Sequence, residues 1–376
     1  MRTPGPPNPS LTGRLAIPAD DCAIRAFLRR QTMPGPVEIS FTYEPDYFRA
    51  LEVQGEHPRV LLGESEGRIL AIGVMAGRSV YLNGRPECVG YLSSLRLDET
   101  IRHSTALARG YRLLRRIHDV NHPNIFYLTT ILEKNMAARR TITSGRAGLP
   151  VYQELGRYRT LLYPAFRRRA ARVPKNVTMV RGNAVGAKAL AEFLNRTGSR
   201  RQFYPVYTRE LIEKSDGLLR GLFPEDFLVA QQDGRVKGIL ALWNQFSFRQ
   251  YVITRIPPHL RPLTITTNTI GRLAGWTGWP VTGQPLNIVL AACVAVEDDD
   301  LPTFALLLRA ALCETRRRGI PFLACGLTED DPLLPAATMP IHLTLRSRIY
   351  AVYWRDPPET LHTLDRRPMH LELGSL

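Results

Sequence analysis

Alternating or continuous apolar runs, broken by turn signals, trade places along this chain with segments of helical spacing, which predicts a mixed α/β fold. PRVLLGES and RILAIGVMAGRSVYLNG flank Glu66-Gly67, and PECVGYLSSLRL follows a second turn at Asn83-Gly84. Three antiparallel strands are therefore expected. Ahead of them, RLAIP reads as a short strand, Asp20 and Asp21 cap a helix over CAIRAFLRRQ, and YEPDYFRALEVQ at 43–54 reads as a short helix. After them come a turn with Arg102 and His103, a helix with Leu107, Tyr111 and Leu114 on one stripe, and another strand ending near Glu133. MAARRTI then forms a helix, SGRAGLP breaks it, and VYQELGRYRTLLYP reads as a turn of helix followed by a closing strand.

The order then repeats. PAFRRRAARVPKN at 164–176 mixes Pro and Arg without apolar periodicity, and beyond it lie strand NVTMVRG, helix AVGAKALAEFLNRT, a helix near TRELIEKS, and strand–turn–strand in DFLVAQQDGRVKGILALW. VLLGESEGRILAIGVM at 60–75 lies over FLVAQQDGRVKGILAL at 227–242, with Gly67-Arg68 over Gly234-Arg235. A segment at 255–285 interrupts the second copy, which resumes as strand LNIVLAACVAV, helix LPTFALLLRAALCETRRRG, and strands IPFLACGL and SRIYAVYW. The expected organisation is a disordered tail at 1–13, a first domain at 14–163, a basic linker at 164–176, and a second domain at 177–376.

A chain of 376 residues suits two domains at roughly 100–200 residues each. The start, MRTPGPPNPSLTG, lacks a signal peptide's apolar stretch and no run is long enough to span a bilayer, so a cytoplasmic protein is expected. The five cysteines form no C-x-x-C pair and are expected as reduced thiols in a core. A net charge of +16 attracts phosphates, acidic proteins, nucleic acid or anionic lipid without choosing among them. No aromatic-interleaved strand of the RNA-binding type accompanies it, so a nucleic-acid partner is not expected. No metal site is expected either, because the histidines make no ligand pair with a carboxylate, and neither a Walker A loop nor a G-x-S-x-G elbow occurs.

The stretch from Tyr91 to Asn135 joins a strand to a helix N-terminus to a second strand, and the first N–H groups of a helix form an anion seat. Here the chain resembles the GNAT superfamily of acyl-CoA-dependent N-acyltransferases. LSSLRLDETIR looks like that family's fourth strand and the approach to its pyrophosphate loop, with Arg102 at the loop's leading position. Glu133-Lys134-Asn135-Met136-Ala137-Ala138 resembles the segment in which an Asn and an Ala begin the next helix, and Tyr152-Gln153-Glu154-Leu155-Gly156 matches the Tyr-x-x-x-Gly at that helix's end. The resemblance implies two tandem GNAT-like domains, each a mostly antiparallel central sheet flanked by helices, with acetyl-CoA or another acyl-CoA as co-substrate.

It further implies that Leu95, Arg96 and Leu97 pair with the pantetheine arm, and that Arg102 and His103 neutralise the pyrophosphate. Backbone N–H groups near Ser104, Thr105, Ala106 and Leu107 would bind its oxygens, Asn135 and Ala138, which start the following helix, would also contact the cofactor, and Tyr152 would be the general acid. Glu87 and Glu133, at strand ends beside the acyl site, are the candidate bases. The loop Arg102-His103-Ser104-Thr105-Ala106-Leu107 departs from the family in having no glycine. In the second half the corresponding loop is Glu297-Asp298-Asp299-Asp300, which repels phosphate, so that copy is expected to be degenerate. Its carboxylates either greet an amine or start a helix, and Trp276 and Trp279 either rim the cleft or fill a core. The expected activity is acyl transfer to a small-molecule or protein amine by direct attack. The alternatives are a donor carried on an acidic acyl-carrier protein, drawn by the arginines, and a non-catalytic binding module for an acidic partner or nucleic acid.

Overall fold

The computed structural model of the chain describes residues 11–33, 38–102, 105–121, 125–146, 148–166, 173–258, 261–273, 276, 278, 279 and 281–376. The first half contains β1 (Thr12–Leu15), α1 (Asp21–Arg30), β2 (Glu38–Thr42), α2 (Tyr47–Leu51), β3 (Glu56–Ser65), β4 (Arg68–Leu82), β5 (Arg85–Leu97), α3 (Ala106–Asn121), β6 (Tyr127–Leu132), α4 (Met136–Ile142) and β7 (Val151–Pro164). The second half contains β8 (Val177–Arg181), α5 (Gly182–Val185), α6 (Ala187–Gly198), α7 (Arg209–Lys214), β9 (Phe227–Gln232), β10 (Arg235–Asn244), β11 (Gln250–Arg255), α8 (Arg261–Leu273), β12 (Pro285–Leu286) and β13 (Ile288–Val296). It ends with α9 (Leu301–Arg317), β14 (Phe322–Thr328), α10 (Leu334–Ala337), β15 (Leu343–Tyr353) and α11 (Glu359–His362).

The expected hairpins form because their turn residues accept left-handed backbone. Glu66 and Gly67 have φ of 51° and 72°, Asn83 and Gly84 of 50° and 82°, and Asp233 and Gly234 of 50° and 75°. Positive φ at both central residues matches the right-handed twist of the flanking strands and fixes their register. Twelve strands join in one mixed sheet in the order β1-β3-β4-β5-β6-β15-β7-β14-β13-β10-β9-β8. The order reads the same from either end. Each half contributes six strands, and the sixth of each lies in the other's territory: β15 beside β6, and β7 beside β14. A second sheet of three strands, β12-β11-β2, also draws on both halves.

Helices cover both faces. On one, Ile24 and Phe27 of α1 and Tyr47 and Leu51 of α2 pack over Val60, Leu62, Ile72 and Val74, in a core continuous with Leu190, Phe193 and Leu194 of α6. On the other, Tyr111 and Leu114 of α3 pack over Leu61, Met75, Leu92 and Ile131, while Phe304, Leu307 and Leu308 of α9 pack over Leu228 and Leu240. Each such side chain contributes about 1.5–3 kcal/mol when fully buried. Trp276 fills a core: it is 3% exposed, its ring packs against Phe166, Phe322 and Trp279, and its indole N–H donates to the carbonyl of Pro321.

Several expectations need correction. Residues 151–164 are one strand, with no helical turn, because β15 supplies a long pairing partner that local pattern cannot reveal. Strands β2 and β11 were not anticipated, each being short and β2 finding its strand partner, β11, only in the other half. Of the cysteines, Cys293 and Cys325 are buried and Cys313 is half-buried, but Cys22 and Cys88 are exposed rather than in a core. The arginines of 167–169 lie outside the described residues. No described helix is long and apolar enough to cross a membrane.

Burial makes one histidine an acid sensor of stability. His370 stacks on Tyr204 with ring centroids 4.6 Å apart, and desolvation, helped by the charge of Arg201, pulls its pKa from 6.5 to about 3. Below pH 6.5 the unfolded chain therefore takes up a proton that the native protein refuses until near pH 3. Stability is full above pH 6.5 and falls as pH drops through that window, by up to about 1.4 kcal/mol per unit. Urea melts from pH 7 to 4 are expected to show a shallower loss for His370→Phe than for the wild type.

Candidate functional site

The anion seat expected from the sequence lies where the first half's sheet comes apart. β5 and β6 run parallel but are in register only at Gly90 with Tyr127 and Tyr91 with Leu128, although β5 continues to Leu97 and β6 to Leu132. The hydroxyl of Thr129 reaches across the start of the gap and donates to the carbonyl of Leu92 at 2.8 Å. Just beyond, β5 bulges. Val74 opposes Ser93 and Ile72 opposes Arg96, so the longer path on β5 carries an extra residue, and Ser94 adopts a φ of 54°. A bulge re-aims neighbouring side chains and ends regular pairing.

On the α1–α2 face of this bulge sits a polar and aromatic cluster. Ser93 donates to the Gln54 side-chain oxygen at 2.5 Å, and the fully buried Tyr47 hydroxyl faces Ser94 and Arg96, with its pKa pushed up by desolvation. Burial lowers the Arg96 guanidinium, against the pull of Tyr43 and Tyr47, and one of its nitrogens lies 3.3 Å from the Met33 sulfur. Adjoining this cluster through Gln54, Arg78 is 8% exposed, lies over the Tyr91 ring at 3.9 Å, and donates to the carbonyls of Gln54 and Ser375. Sequence reading missed Tyr47, Gln54, Ser93 and Arg78. Only the polar interruption SSLR in an apolar strand hinted at any of them.

At the open end of β5 the chain turns into α3. Asp98 accepts from the N–H of Thr100, Arg102 stands 3.3 Å from Glu99 as an exposed ion pair, and Thr105 accepts from the Arg109 side chain at 3.0 Å. Ala106 is buried with Ile101 and Leu70, while Leu107 packs beside Tyr111. Leu95, Arg96, Leu97, Arg102, Thr105, Ala106 and Leu107 are therefore gathered along one path from bulge to helix start. His103 and Ser104 lie outside the described residues.

The remaining candidates stand elsewhere. Glu87 pairs with Val80, three residues before the strands join at Gly90, and so lies at the closed end, away from the gap. Glu133 follows β6 between two guanidiniums, 3.8 Å from Arg157 and 3.6 Å from Arg348. Asn135 caps α4 by accepting from the N–H of Ala138 at 3.2 Å. Tyr152 is on β7, opposite Val352 of β15, and its hydroxyl bonds that of Tyr111 on α3. Desolvation pushes Tyr111 up to about 12 and also holds Tyr152 well above its usual range.

The second half repeats the geometry with its space filled. β13 bulges between Ala292 and Ala295, with Cys293 at a φ of 50°, and the Cys293 N–H donates to the Glu372 carboxylate at 2.8 Å. Glu372 and Gly374 pack there, Gly374 against Trp243. The acidic loop is occupied from within: Glu297 pairs with Arg196 and Lys237, Asp298 with Arg200, Asp299 with Arg201, and Asp300 caps α9. Helix start and ion pairing account for these carboxylates.

No family model matches the sequence, and no curated protein matches it. The structure does have likenesses. A GCN5-related N-acetyltransferase from Sphaerobacter thermophilus aligns with a TM-score of 0.54 at 12% identity, covering 92% of this chain and 96% of that one. An N-myristoyltransferase from Saccharomyces cerevisiae, solved with bound myristoyl-CoA, aligns with a TM-score of 0.59 at 12% identity, over 95% of this chain and 86% of that one. The chain has the GNAT fold. Both likenesses run across the two halves, so the whole twelve-stranded sheet belongs to the comparison. In GNAT terms, the gap between β5 and β6 and the turn into α3 are the region singled out by the LSSLRLDETIR resemblance.

Proposed function

We propose that the first half of the chain is the catalytic unit of an N-acyltransferase using acyl-CoA, and that both halves descend from one duplicated unit whose second copy has lost its cofactor site. The opened strand pair carries the first reading. β5 leaves β6 after Tyr91, bulges at Ser94, and runs into the N-terminus of a 16-residue helix. Pantetheine is an extended chain with two amides, suited to lie along Leu95–Leu97 as an added strand. Its phosphates then meet Arg102 and the N–H groups of Ala106 and Leu107 at the positive end of α3. The myristoyl-CoA held by the yeast neighbour supports a thioester donor. The duplication is supported by the palindromic strand order, the matched bulges at Ser94 and Cys293, and the matched turns at Glu66-Gly67 and Asp233-Gly234.

In this reaction the amine lone pair forms a C–N bond to the thioester carbonyl carbon. The C–S bond then breaks, its electron pair leaves on sulfur as thiolate, and the surplus ammonium proton passes to solvent or to that thiolate. A thiol ionises near 8.5, so a tyrosine whose pKa burial has raised donates to the thiolate only uphill. We therefore assign Tyr152 the positioning of Tyr111 rather than the acid role. Tyr152→Phe is expected to keep turnover within about tenfold of wild type while costing about 1–3 kcal/mol of stability, because the Tyr111 hydroxyl is left buried without its partner. A loss of a hundredfold or more in kcat, with unchanged KM, would restore Tyr152 as the acid.

Isothermal titration with CoA and acetyl-CoA tests the reading. Binding of one equivalent per chain is expected, and absence of heat with either compound at millimolar concentration counts against it.

A further inference from the structure

Between α3 and the sheet lies a half-open apolar groove of about 270 Å³. Leu61 and Leu92 form its inner wall, Leu95 and Leu97 line the side toward the bulge, and Leu107 and Leu114 hang from the helix. Two glycines make the room. Gly73, on β4 opposite Leu61, and Gly110, the fifth residue of α3, each line the groove, and a methyl group added to either would meet no atom within 4 Å. Glycine in a helix interior and in a central strand lowers stability. Neither has a positive φ that would require it here.

We propose that this groove takes the methylene chain of a medium-length acyl group whose thioester lies between β5 and β6, a substrate class that rests on the acyl-CoA reading above. The groove adjoins that gap along β5, since Leu92, Ser93 and Leu95, which line it, lie just beyond the last pairing of β5 with β6. An apolar cavity of about 150 Å³ stays dry and holds a six-carbon benzene ring, so this volume holds about ten carbons. Arg109, Arg112 and Arg116 stand along its mouth, three and four residues apart on α3, where cationic heads remain in water while the chain beneath is apolar. That rim complements a ligand with anionic phosphates outside and an alkyl chain inside. An acetyl group would leave the groove empty.

The test is titration of the full chain with acetyl-, hexanoyl-, decanoyl- and myristoyl-CoA, repeated on Gly73→Leu and Gly110→Leu. Decanoyl-CoA is expected to bind wild type at least about 100-fold tighter than acetyl-CoA, because each buried methylene adds several-fold, with little further gain at myristoyl. Either leucine, filling the groove from floor or wall, lowers the decanoyl-to-acetyl ratio at least tenfold. Equal affinity of wild type for the acetyl and decanoyl esters, or a ratio unchanged in both folded variants, overturns the proposal. If no CoA ester binds, the acyl-CoA reading has failed, and decanoic acid alone decides the groove. Displacement of a fluorescent probe by decanoate from wild type but not from Gly73→Leu sustains an apolar-chain site, and no displacement from wild type overturns it.

Discussion

Replacing Arg102 and Arg109 together by glutamate is expected to weaken acetyl-CoA binding by about 100-fold. Arg102 stands in the turn before α3 and Arg109 one turn inside it, so both flank the N–H groups that would meet the pyrophosphate. Reversing two charges removes charge-assisted hydrogen bonds and adds repulsion at a site otherwise set up for anions. Neither arginine supports the core: Arg102 pairs with an exposed Glu99, and Arg109 is exposed on the helix. The folded state should therefore survive, and a thermal melt within a few degrees of wild type would show it. Acetyl-pantetheine, which lacks the phosphates at issue, should bind both proteins alike. Equal loss for both ligands would mean that the substitutions had disturbed the strand gap rather than the anion seat.

The second large effect concerns the fold. Arg201 is 5% exposed and donates to Asp331 at 3.0 Å and to Asp299 at 2.5 Å. Burial pushes the Asp331 carboxyl up while Arg201 pulls it down. Arg201→Ala leaves that carboxylate buried without its cation, at a cost of about 3–5 kcal/mol. Without Arg201 the folded-state pKa of Asp331 rises further above its unfolded value. A group shifted that way is best tolerated below its unfolded pKa and loses stability as pH rises, so the deficit of the variant is smaller in acid than at pH 7. Arg201→Met with Asp331→Leu, which removes both charges, should recover much of the loss, as apolar replacement of buried ion pairs often does. A deficit that ignores pH and the second substitution would mean that packing, not the stranded charge, sets the cost.

These two clusters mark what could be read from the sequence and what could not. Turn residues act locally, so Glu66-Gly67, Asn83-Gly84 and Asp233-Gly234 announced their hairpins, and the Gly67-Arg68 match to Gly234-Arg235 announced the repeated order. The anion seat was legible for the same reason, as strand, turn and capped helix follow one another in the chain. The exchange of β7 and β15 was not, because both strands carry the same pattern whichever partner they take. That exchange moved Tyr152 from an expected helix end to a strand beneath α3, where Tyr111 binds it. Ser93, Gln54 and Tyr47 come from separate elements and meet only when α2 closes on β5. The acidic loop was legible as unfit for phosphate, but not that Arg196, Arg200, Arg201 and Lys237 neutralise it. Gly73 and Gly110 carried no signal as a pair, since lining one groove from two separate elements is a property of packing.

The central claim is that one of two similar strand gaps holds the thioester, and a crystal structure of the chain grown with an acyl-CoA tests it most directly. The account predicts one molecule per chain, its pantetheine arm along Ser94 to Leu97 and its phosphates at the start of α3. A cofactor lying along β13 beside Cys293, or an empty gap between β5 and β6 at saturating acyl-CoA, would contradict it.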